Sequence, residues 1–282
     1  MFTNTNLQFP HGAMLTSAML HEIYKYPREF FALLYQGYGD GIICGLDYLI
    51  RDKNLILTSG VIRFEGEFYF LPQDFNVSAE AQKNNLEVDN EYYIGLSRLS
   101  EKKDACVTEN NLTVIFSSSK IFPSLGKFYF SEYDAFDLPQ LDKGDKPFKN
   151  IFNAVVLNLA DVPFAEKGGA TFHPLLFRLV KDFLAGKEYK TPFDYAILTQ
   201  LQSTGVISIQ TINSYIAESS GKINLDDKIN DKINFIDRAK LFENFCHCLV
   251  ESKFNSAVSS TKTGGDIAKP KPTRYTGYGK ML

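Results

Sequence analysis

The sequence predicts an α+β fold: an N-terminal helix plus a small antiparallel β-domain, followed by a small helical bundle and an extended C-terminal tail. Three observations predict it. Apolar residues recur at three-to-four spacing within residues 12–36, short alternating runs separated by glycine turns fill residues 37–131, and helical spacing returns beyond residue 160.

The first segment, residues 1–36, is expected to be helical from about residue 12. Thr16 or Ser17 can cap the helix start, and Pro27 is expected to end or kink the helix. Apolar residues at helical spacing support this prediction: Met14, Ala18, Met19, Leu20, Ile23 and Tyr24, followed by a second apolar run over residues 30–34.

Residues 37–131 are predicted to form a β-rich assembly domain. Four glycines within residues 37–45 supply turns, and short alternating runs follow over residues 46–50 and 54–58. Further strands are predicted in residues 61–70, 91–98, 112–117 and 127–131. Short strands at this spacing are typical of a small antiparallel β-domain.

The second half is divided into three parts. Residues 132–150 are rich in Asp, Lys, Pro and Gly and are predicted to be a linker. Residues 151–254 are predicted to be a mainly helical domain, with helices over residues 174–184, 193–201, 209–218 and 235–252. Residues 255–282 are predicted to be a flexible basic tail.

The tail carries five basic residues against one acidic residue and too few apolar residues to fold alone. Two interpretations stay open for it: a disordered end, or a peptide that becomes ordered on a partner. In the second case its anchors would be Tyr275, Tyr278, Met281 and Leu282.

Composition excludes several classes of function. A net charge of −3 offers no concentrated positive charge for nucleic acid, and no apolar stretch is long enough for a membrane span. The first ten residues lack the pattern of a signal peptide, so synthesis in the cytoplasm is expected, with the four cysteines reduced. The 24 Phe and 15 Tyr predict an aromatic core or an aromatic interface.

No motif indicates catalysis or a metal. Cys246, His247 and Cys248 are consecutive on a predicted helix, so their side chains diverge by about 100° each and cannot converge on one ion. His173 precedes a proline at a helix start, which indicates a structural turn. The expectation is a protein that is not an enzyme and needs no cofactor or metal.

The acidic and glycine-rich stretches likewise indicate neither a catalytic site nor a phosphate-binding site. Asp134 and Asp137, like the adjacent pair Asp226 and Asp227, lie in polar loops where carboxylates are normally solvated. The glycines of residues 37–41 do not have the spacing of a phosphate-binding loop.

The glycines and apolar runs of residues 41–71 form a module that resembles a known sequence pattern. Gly41-Ile42-Ile43-Cys44-Gly45-Leu46 is followed by Asn54-Leu55-Ile56-Leu57, Ser59-Gly60-Val61-Ile62 and Glu65-Gly66-Glu67-Phe68-Tyr69-Phe70-Leu71. This module resembles a pattern that recurs in tail, baseplate and fibre-attachment proteins of phages and prophages. Residues 168–174, which lead into a helix, look like prophage proteins that accompany such modules.

The resemblance implies a structural subunit of a phage tail baseplate or tail-like particle, which joins the tail body to fibre or peripheral components. The expected partners are other tail or baseplate subunits and copies of the chain itself, with a trimer favoured by analogy. The edge at residues 63–71 could pair with a neighbouring subunit. The residues expected at contacts are Gly41, Gly45, Leu46, Gly60, Gly66, Tyr69, Tyr275 and Tyr278.

Two alternatives stay open. A protein that binds or depolymerises host-surface carbohydrate would show an exposed aromatic platform beside polar loops, or two carboxylates facing each other across a cleft. A chaperone for fibre assembly would be absent from the finished particle.

Overall fold

The fold confirms the predicted class. In a computed structural model, an N-terminal helix precedes antiparallel sheets and a set of helices. The structure describes residues 12, 14, 16–98, 102–103, 108–109, 111–131, 137–152, 157–220 and 238–252. The predicted tail, residues 255–282, lies outside the described residues.

The described helices are α1 (Ser17–Leu34), α2 (Val77–Lys83), α3 (Pro174–Gly186), α4 (Pro192–Thr204), α5 (Ile209–Ser220) and α6 (Arg238–Glu251), with a 3-10 turn at Lys149–Phe152. Five of the six described helices lie near predicted ranges, and α2, within the segment predicted to be β-rich, was not predicted.

Thirteen strands are present in the described residues. They are β1 (Gly41–Gly45), β2 (Tyr48–Arg51), β3 (Asn54–Leu57), β4 (Gly60–Phe64), β5 (Glu67–Leu71), β6 (Phe75–Asn76), β7 (Asn90–Arg98), β8 (Lys102–Lys103), β9 (Thr108–Glu109), β10 (Leu112–Ser117), β11 (Ser124–Phe130), β12 (Phe164–Glu166) and β13 (Gly169–Thr171).

The largest sheet joins both halves of the chain. Its order is β13-β12-β1-β4-β5, and β1 runs parallel to β12 while the other neighbours are antiparallel. Strands β12 and β13 come from the part that the sequence predicted to be mainly helical. The domain boundaries stay a prediction, but strands from both sides of the predicted linker hydrogen-bond within one sheet.

The main core is continuous across this sheet, the β10-β7-β11 and β2-β3-β6 sheets and helices α2 to α6. Its largest fully buried aromatic side chains are those of Tyr48, Phe128, Phe172, Phe177, Phe242 and Phe245. Phe148, from the predicted linker, is buried in the same core. Part of the phenylalanine surplus therefore serves packing.

Local capping explains where the helices begin. The Thr16 hydroxyl accepts the N–H of Met19 at 3.2 Å, which confirms one of the two predicted caps. The helix then continues through Pro27 to Leu34, so Pro27 does not end it. Ser208 caps α5, because its hydroxyl accepts the N–H of Thr211 at 3.1 Å.

A buried polar network ties the helices together. Asp194, at the start of α4, accepts from Lys187 Nζ at 2.9 Å and from the Tyr215 hydroxyl at 2.5 Å. Lys187 also donates to Ser252 Oγ at 2.6 Å, beyond the end of α6. Burial would raise the pKa of Asp194, but hydrogen bonds from Tyr215, Lys187 and Thr191 outweigh it and hold the pKa below its usual value.

Replacing Asp194 with Ala is expected to lower the free energy of unfolding by about 3–5 kcal/mol, because the buried Lys187 ammonium loses its counter-charge. Urea unfolding followed by circular dichroism measures the loss. The matched control is Asp182→Ala on α3, where the carboxylate is exposed and little change is expected. Equal unfolding midpoints for the two variants would show that the network is not stabilising.

The buried side chain of His173 leads to a prediction about how stability depends on pH. Its side chain is buried at the start of α3, where Nδ1 accepts the N–H of Leu175 at 3.2 Å. Burial lowers the pKa of His173 to about 4, whereas an unfolded chain would have a histidine pKa of about 6.5.

Between pH 6.5 and pH 4 the unfolded chain therefore takes up a proton that the folded chain does not, so stability falls as the pH is lowered through this window. Thermal unfolding at successive pH values measures this slope. His173→Asn keeps a side chain that can cap α3 and is expected to flatten the slope. The control His247→Asn, at an exposed position, should retain it. A slope unchanged by His173→Asn would refute the assignment.

Candidate protein–protein interface

The glycines predicted as contact residues have an intramolecular role. A Cβ atom on Gly41 would lie 2.7 Å from the carbonyl oxygen of Pro163, and one on Gly45 would lie 2.2 Å from that of Ser59. A Cβ atom on Gly60 would lie 2.5 Å from the carbonyl oxygen of Cys44. Only glycine permits β1 to approach its neighbours this closely. Contact of these glycines with a partner stays a prediction.

Leu46 and Tyr69 also take part in the interior. Leu46 is buried in the main core, and Tyr69 on β5 packs against that core from the edge of the sheet. The Tyr69 hydroxyl is buried, and no hydrogen-bond partner for it lies within the described part of the chain. Tyr275 and Tyr278 lie outside the described residues, so their predicted contacts stay predictions.

Gly66 lies in the turn that joins β4 to β5. Glu65 and Gly66 both have positive φ, at 51° and 79°, as a tight hairpin turn requires. The Asp40 carboxylate accepts the N–H of Glu65 at 2.8 Å and that of Gly66 at 3.3 Å. Asp40 thus fixes the hairpin that presents β5.

The five-stranded sheet has two apolar faces. Cross-strand register pairs Ile62 with Tyr69 and Val61 with Phe70, so alternate residues point to opposite faces. The face that carries Ile62 and Tyr69 packs on the main core. The other face carries a smaller cluster of Ile43, Val61 and Ala165, with Tyr35, Tyr38 and Phe68 packed against it.

Helix α1 contacts this second face through its C-terminal turns. The Phe31 ring meets the Phe68 ring edge-on, with centroids 5.2 Å apart, and lies 6.5 Å from the Phe70 ring. Arg28 bridges from the helix to Glu67 on β5 at 3.2 Å and hydrogen-bonds the Tyr24 hydroxyl. Both charged side chains are more than half exposed, so this ion pair contributes little and the aromatic contacts hold the helix.

A groove of about 440 Å³ lies between α1 and β5. It is lined by Tyr24, Pro27, Arg28, Phe31, Glu67, Phe68, Tyr69 and Phe70. Among the described strands β5 pairs only with β4, so the backbone amides and carbonyls of its outer edge have no strand beside them. Of the residues predicted to present a strand edge, 63–71, those of β5 (67–71) lie at the edge of the sheet. Residues 63 and 64 belong to β4, which pairs with β1 on one side and with β5 on the other. Pairing of that edge with a neighbour is untested.

Seven of the exposed large apolar side chains among the described residues lie on α1 and one lies on β5, while β2 and α4 carry two each. Phe70 on β5 is 65% exposed and Leu33 on α1 is 70% exposed. The others on α1 are Leu20, Ile23, Tyr24, Tyr26, Phe30 and Leu34. Contiguous apolar patches on a protein surface mark sites of interaction with another molecule. We refer to these residues, the groove and the edge of β5 together as the α1–β5 surface.

Sequence reasoning did not single out the α1 side chains or Phe70 as contact residues. The signal that could have found them is the apolar density of residues 19–34, where apolar positions occupy more of the helix circumference than one buried face needs.

The two cysteines and the histidine of α6 are engaged in packing or in a local pair. Burial raises the pKa of the Cys246 thiol well above its usual value and raises that of Cys248, which keeps both protonated and unreactive. His247 lies 3.2 Å from Glu251 on the same helix. Within the described ranges there is no group of three or more His, Cys, Asp or Glu side chains that could hold a metal ion. Among those residues, too, no helix combines the length and the apolar character needed to cross a bilayer.

No protein-family model matches the sequence, and a comparison with curated proteins finds no match. Two solved structures align with the fold. A crystal structure of TssK aligns with 8% identity and a TM-score of 0.34, over 87% of this chain and 68% of TssK. A cryo-electron microscopy structure of the type VI secretion system TssK-TssF-TssG baseplate subcomplex aligns with 10% identity and a TM-score of 0.34, over 88% of this chain and 98% of the matched chain. Similarity at this level supports no conclusion about the fold or function of the chain.

Proposed function

We propose that the protein is a non-catalytic structural subunit of a phage tail baseplate or a related tail-like particle, and that the α1–β5 surface docks onto other subunits. The observation that carries the proposal is the exposure of aromatic and aliphatic side chains along α1 and on Phe70 of β5. Covering such side chains removes apolar area from water, which is the main driving force for stable association.

The arrangement offers two kinds of contact at once. The outer edge of β5 can accept a strand from a neighbour through backbone hydrogen bonds, while the groove beside it accepts that strand's side chains. The hairpin is held by Asp40 and the helix by Phe31, so both parts are ordered before a partner arrives. Pre-ordering reduces the entropy cost of association.

The resemblance of residues 41–71 to phage tail and baseplate modules supplies the biological context. We propose that the subunit is made in the host bacterial cytoplasm and enters the virion tail or tail-like particle, where it joins the tail body to a fibre or another peripheral part. Copies of the chain are proposed to associate, with a trimer favoured by analogy to fibre-linked proteins.

A carbohydrate-binding role is the second candidate, because the groove places the Tyr24, Phe31 and Phe70 side chains beside the polar pair Arg28 and Glu67. Aromatic rings next to hydrogen-bonding groups suit sugar rings as well as protein side chains. Binding of purified host polysaccharide to the protein, weakened by Phe70→Ala, would favour this alternative.

Replacing Phe70 with Lys is expected to leave the fold intact, since the side chain is mostly exposed, and to reduce incorporation into particles at least tenfold. Quantitative mass spectrometry of purified particles measures incorporation, and thermal unfolding verifies the fold. The matched control is Tyr189→Lys, which alters an equally exposed aromatic residue in the helical half. Normal incorporation of Phe70→Lys would contradict docking at this surface. Absence of the wild-type chain from finished particles would favour the assembly chaperone.

Removing residues 256–282 is expected to weaken incorporation while the unfolding temperature stays unchanged, because the tail has too little apolar content to belong to a core. The same mass spectrometry and thermal unfolding measure the two effects. A much lower unfolding temperature would show that the tail is part of the folded core.

A further inference from the structure

The β4–β5 hairpin determines which backbone groups lie on the outer edge of the sheet. Its turn has two residues, both with positive φ, so Phe64 and Glu67 form the hydrogen-bonded pair that closes the hairpin. Hydrogen-bonded and non-hydrogen-bonded pairs alternate along an antiparallel ladder. The backbone groups of Tyr69 and Leu71 on β5 are therefore directed at β4, like those of Glu67.

The N–H and C=O groups of Phe68 and Phe70 point the other way, to the outer edge. The register pairs Phe68 with Arg63 and Phe70 with Val61, which are the two pairs without hydrogen bonds. Within the described part of the chain, no residue outside the ladder donates to or accepts from these four backbone groups. Two donors and two acceptors thus lie in a row along β5, as on other edge strands.

The spacing of these groups indicates an extended partner. Phe68 and Phe70 are separated by two residues of a strand, about 6.8 Å, and a second strand presents its own N–H and C=O groups at the same interval. A helix cannot supply them, because its backbone groups bond to one another within the helix. The outer edge of β5 therefore fits an added strand.

The side chains of the same two residues indicate what such a strand carries. Residues directly opposite each other in an antiparallel pair point to the same face of the sheet. Phe68 and Phe70 face the ring of Phe31 on α1, so partner residues opposite them enter the groove. The charged residues that line the groove, Arg28 and Glu67, pair with each other. Apolar side chains at alternate positions of the partner strand fit this lining.

The opposite edge of the sheet does not offer a matching strand. Arg238, at the start of α6, donates to the carbonyl oxygens of Ala170 and Thr171 on β13. Its guanidinium lies 4.9 Å from the centre of the Phe172 ring. A guanidinium bonded to these carbonyl oxygens competes with any strand that would pair with β13. Copies of the chain therefore do not stack head to tail by pairing β5 with β13.

We propose that β5 binds an extended segment of a different subunit as a sixth, antiparallel strand of the sheet, with apolar side chains at alternate positions of that segment in the groove. Antiparallel pairing is the slightly more stable arrangement for each residue. This inference rests on the proposed function, in which the α1–β5 surface docks onto other subunits. It adds that the backbone of Phe68 and Phe70 carries part of the recognition.

A comparison of Phe70→Pro with Phe70→Val tests the backbone contribution. Both variants remove the exposed ring, but only proline removes the N–H that the partner strand needs. Because this N–H is not directed at β4, both variants are expected to fold, and thermal unfolding verifies this. Incorporation into particles, measured by quantitative mass spectrometry, is expected to be about tenfold lower for Phe70→Pro than for Phe70→Val.

Amide hydrogen exchange of the wild-type chain gives an independent readout that needs no variant. In the free chain, the amides of Phe68 and Phe70 are expected to exchange about tenfold faster than those of Tyr69 and Leu71, which bond to β4. In purified particles, the amides of Phe68 and Phe70 are expected to become protected as well.

Three results would overturn the inference. They are equal incorporation of the proline and valine variants, amides of Phe68 and Phe70 that still exchange fast in particles, and a wild-type dimer that Phe70→Pro dissociates but Phe70→Val does not. Light scattering after size exclusion detects the dimer, which would assign the edge to β5 of a second copy.

Phe70→Lys separates this inference from the proposed function. If Phe70→Lys loses incorporation while the proline and valine variants are equal, the surface docks through side chains alone and the proposed function stands without strand addition. If Phe70→Lys is incorporated normally, docking at the α1–β5 surface is refuted, and strand addition with it.

Discussion

The close backbone approach around β1 is the constraint on which the rest of the structure depends. Strand β1 is the third of five strands. Its Gly41 and Gly45 lie against the backbone of Pro163 and Ser59, and Gly60 of β4 lies against the backbone of Cys44 in β1, without a side chain between. A larger residue at any of these positions would push backbone away from backbone. These backbone contacts join the two halves of the chain in one sheet. They also determine where the α1–β5 surface lies.

Much of the fold could be predicted from residue spacing. Helices α3 to α5 and strands β7 and β10 are long enough to show a period, and they lie within a few residues of the predicted ranges. Strands β12 and β13 could not be predicted, because each has three residues and too little length for a period. They exist because β1 offers a hydrogen-bonding edge more than a hundred residues earlier in the chain.

Pro27 shows a different limit of sequence reasoning. Proline removes one backbone N–H and is expected to stop or bend a helix, but α1 continues to Leu34. The residue is exposed, so water can satisfy the carbonyl that loses its partner.

The covered side of α1 is another feature that the sequence does not reveal. Helical spacing shows that residues 19–34 are rich in apolar side chains, but it does not show which of these side chains another element covers. That depends on the sheet, which reaches only the side of α1 that carries Phe31. The edge position of residues 67–71 was contained in the prediction for residues 63–71, whereas the exposure of Phe70 and of the helix side chains was not predicted.

The short connection between α1 and β1 has a mechanical consequence. Arg63 on β4 donates to the carbonyl oxygens of Tyr35 and Tyr38, and Asp40 holds the far end of the same hairpin through the amides of Glu65 and Gly66. The connection is thus tethered to the hairpin at several points along its length. A force applied to α1 would therefore be transmitted to the β4–β5 hairpin. We expect the helix and the hairpin to move together, without rotation of the helix about the connection.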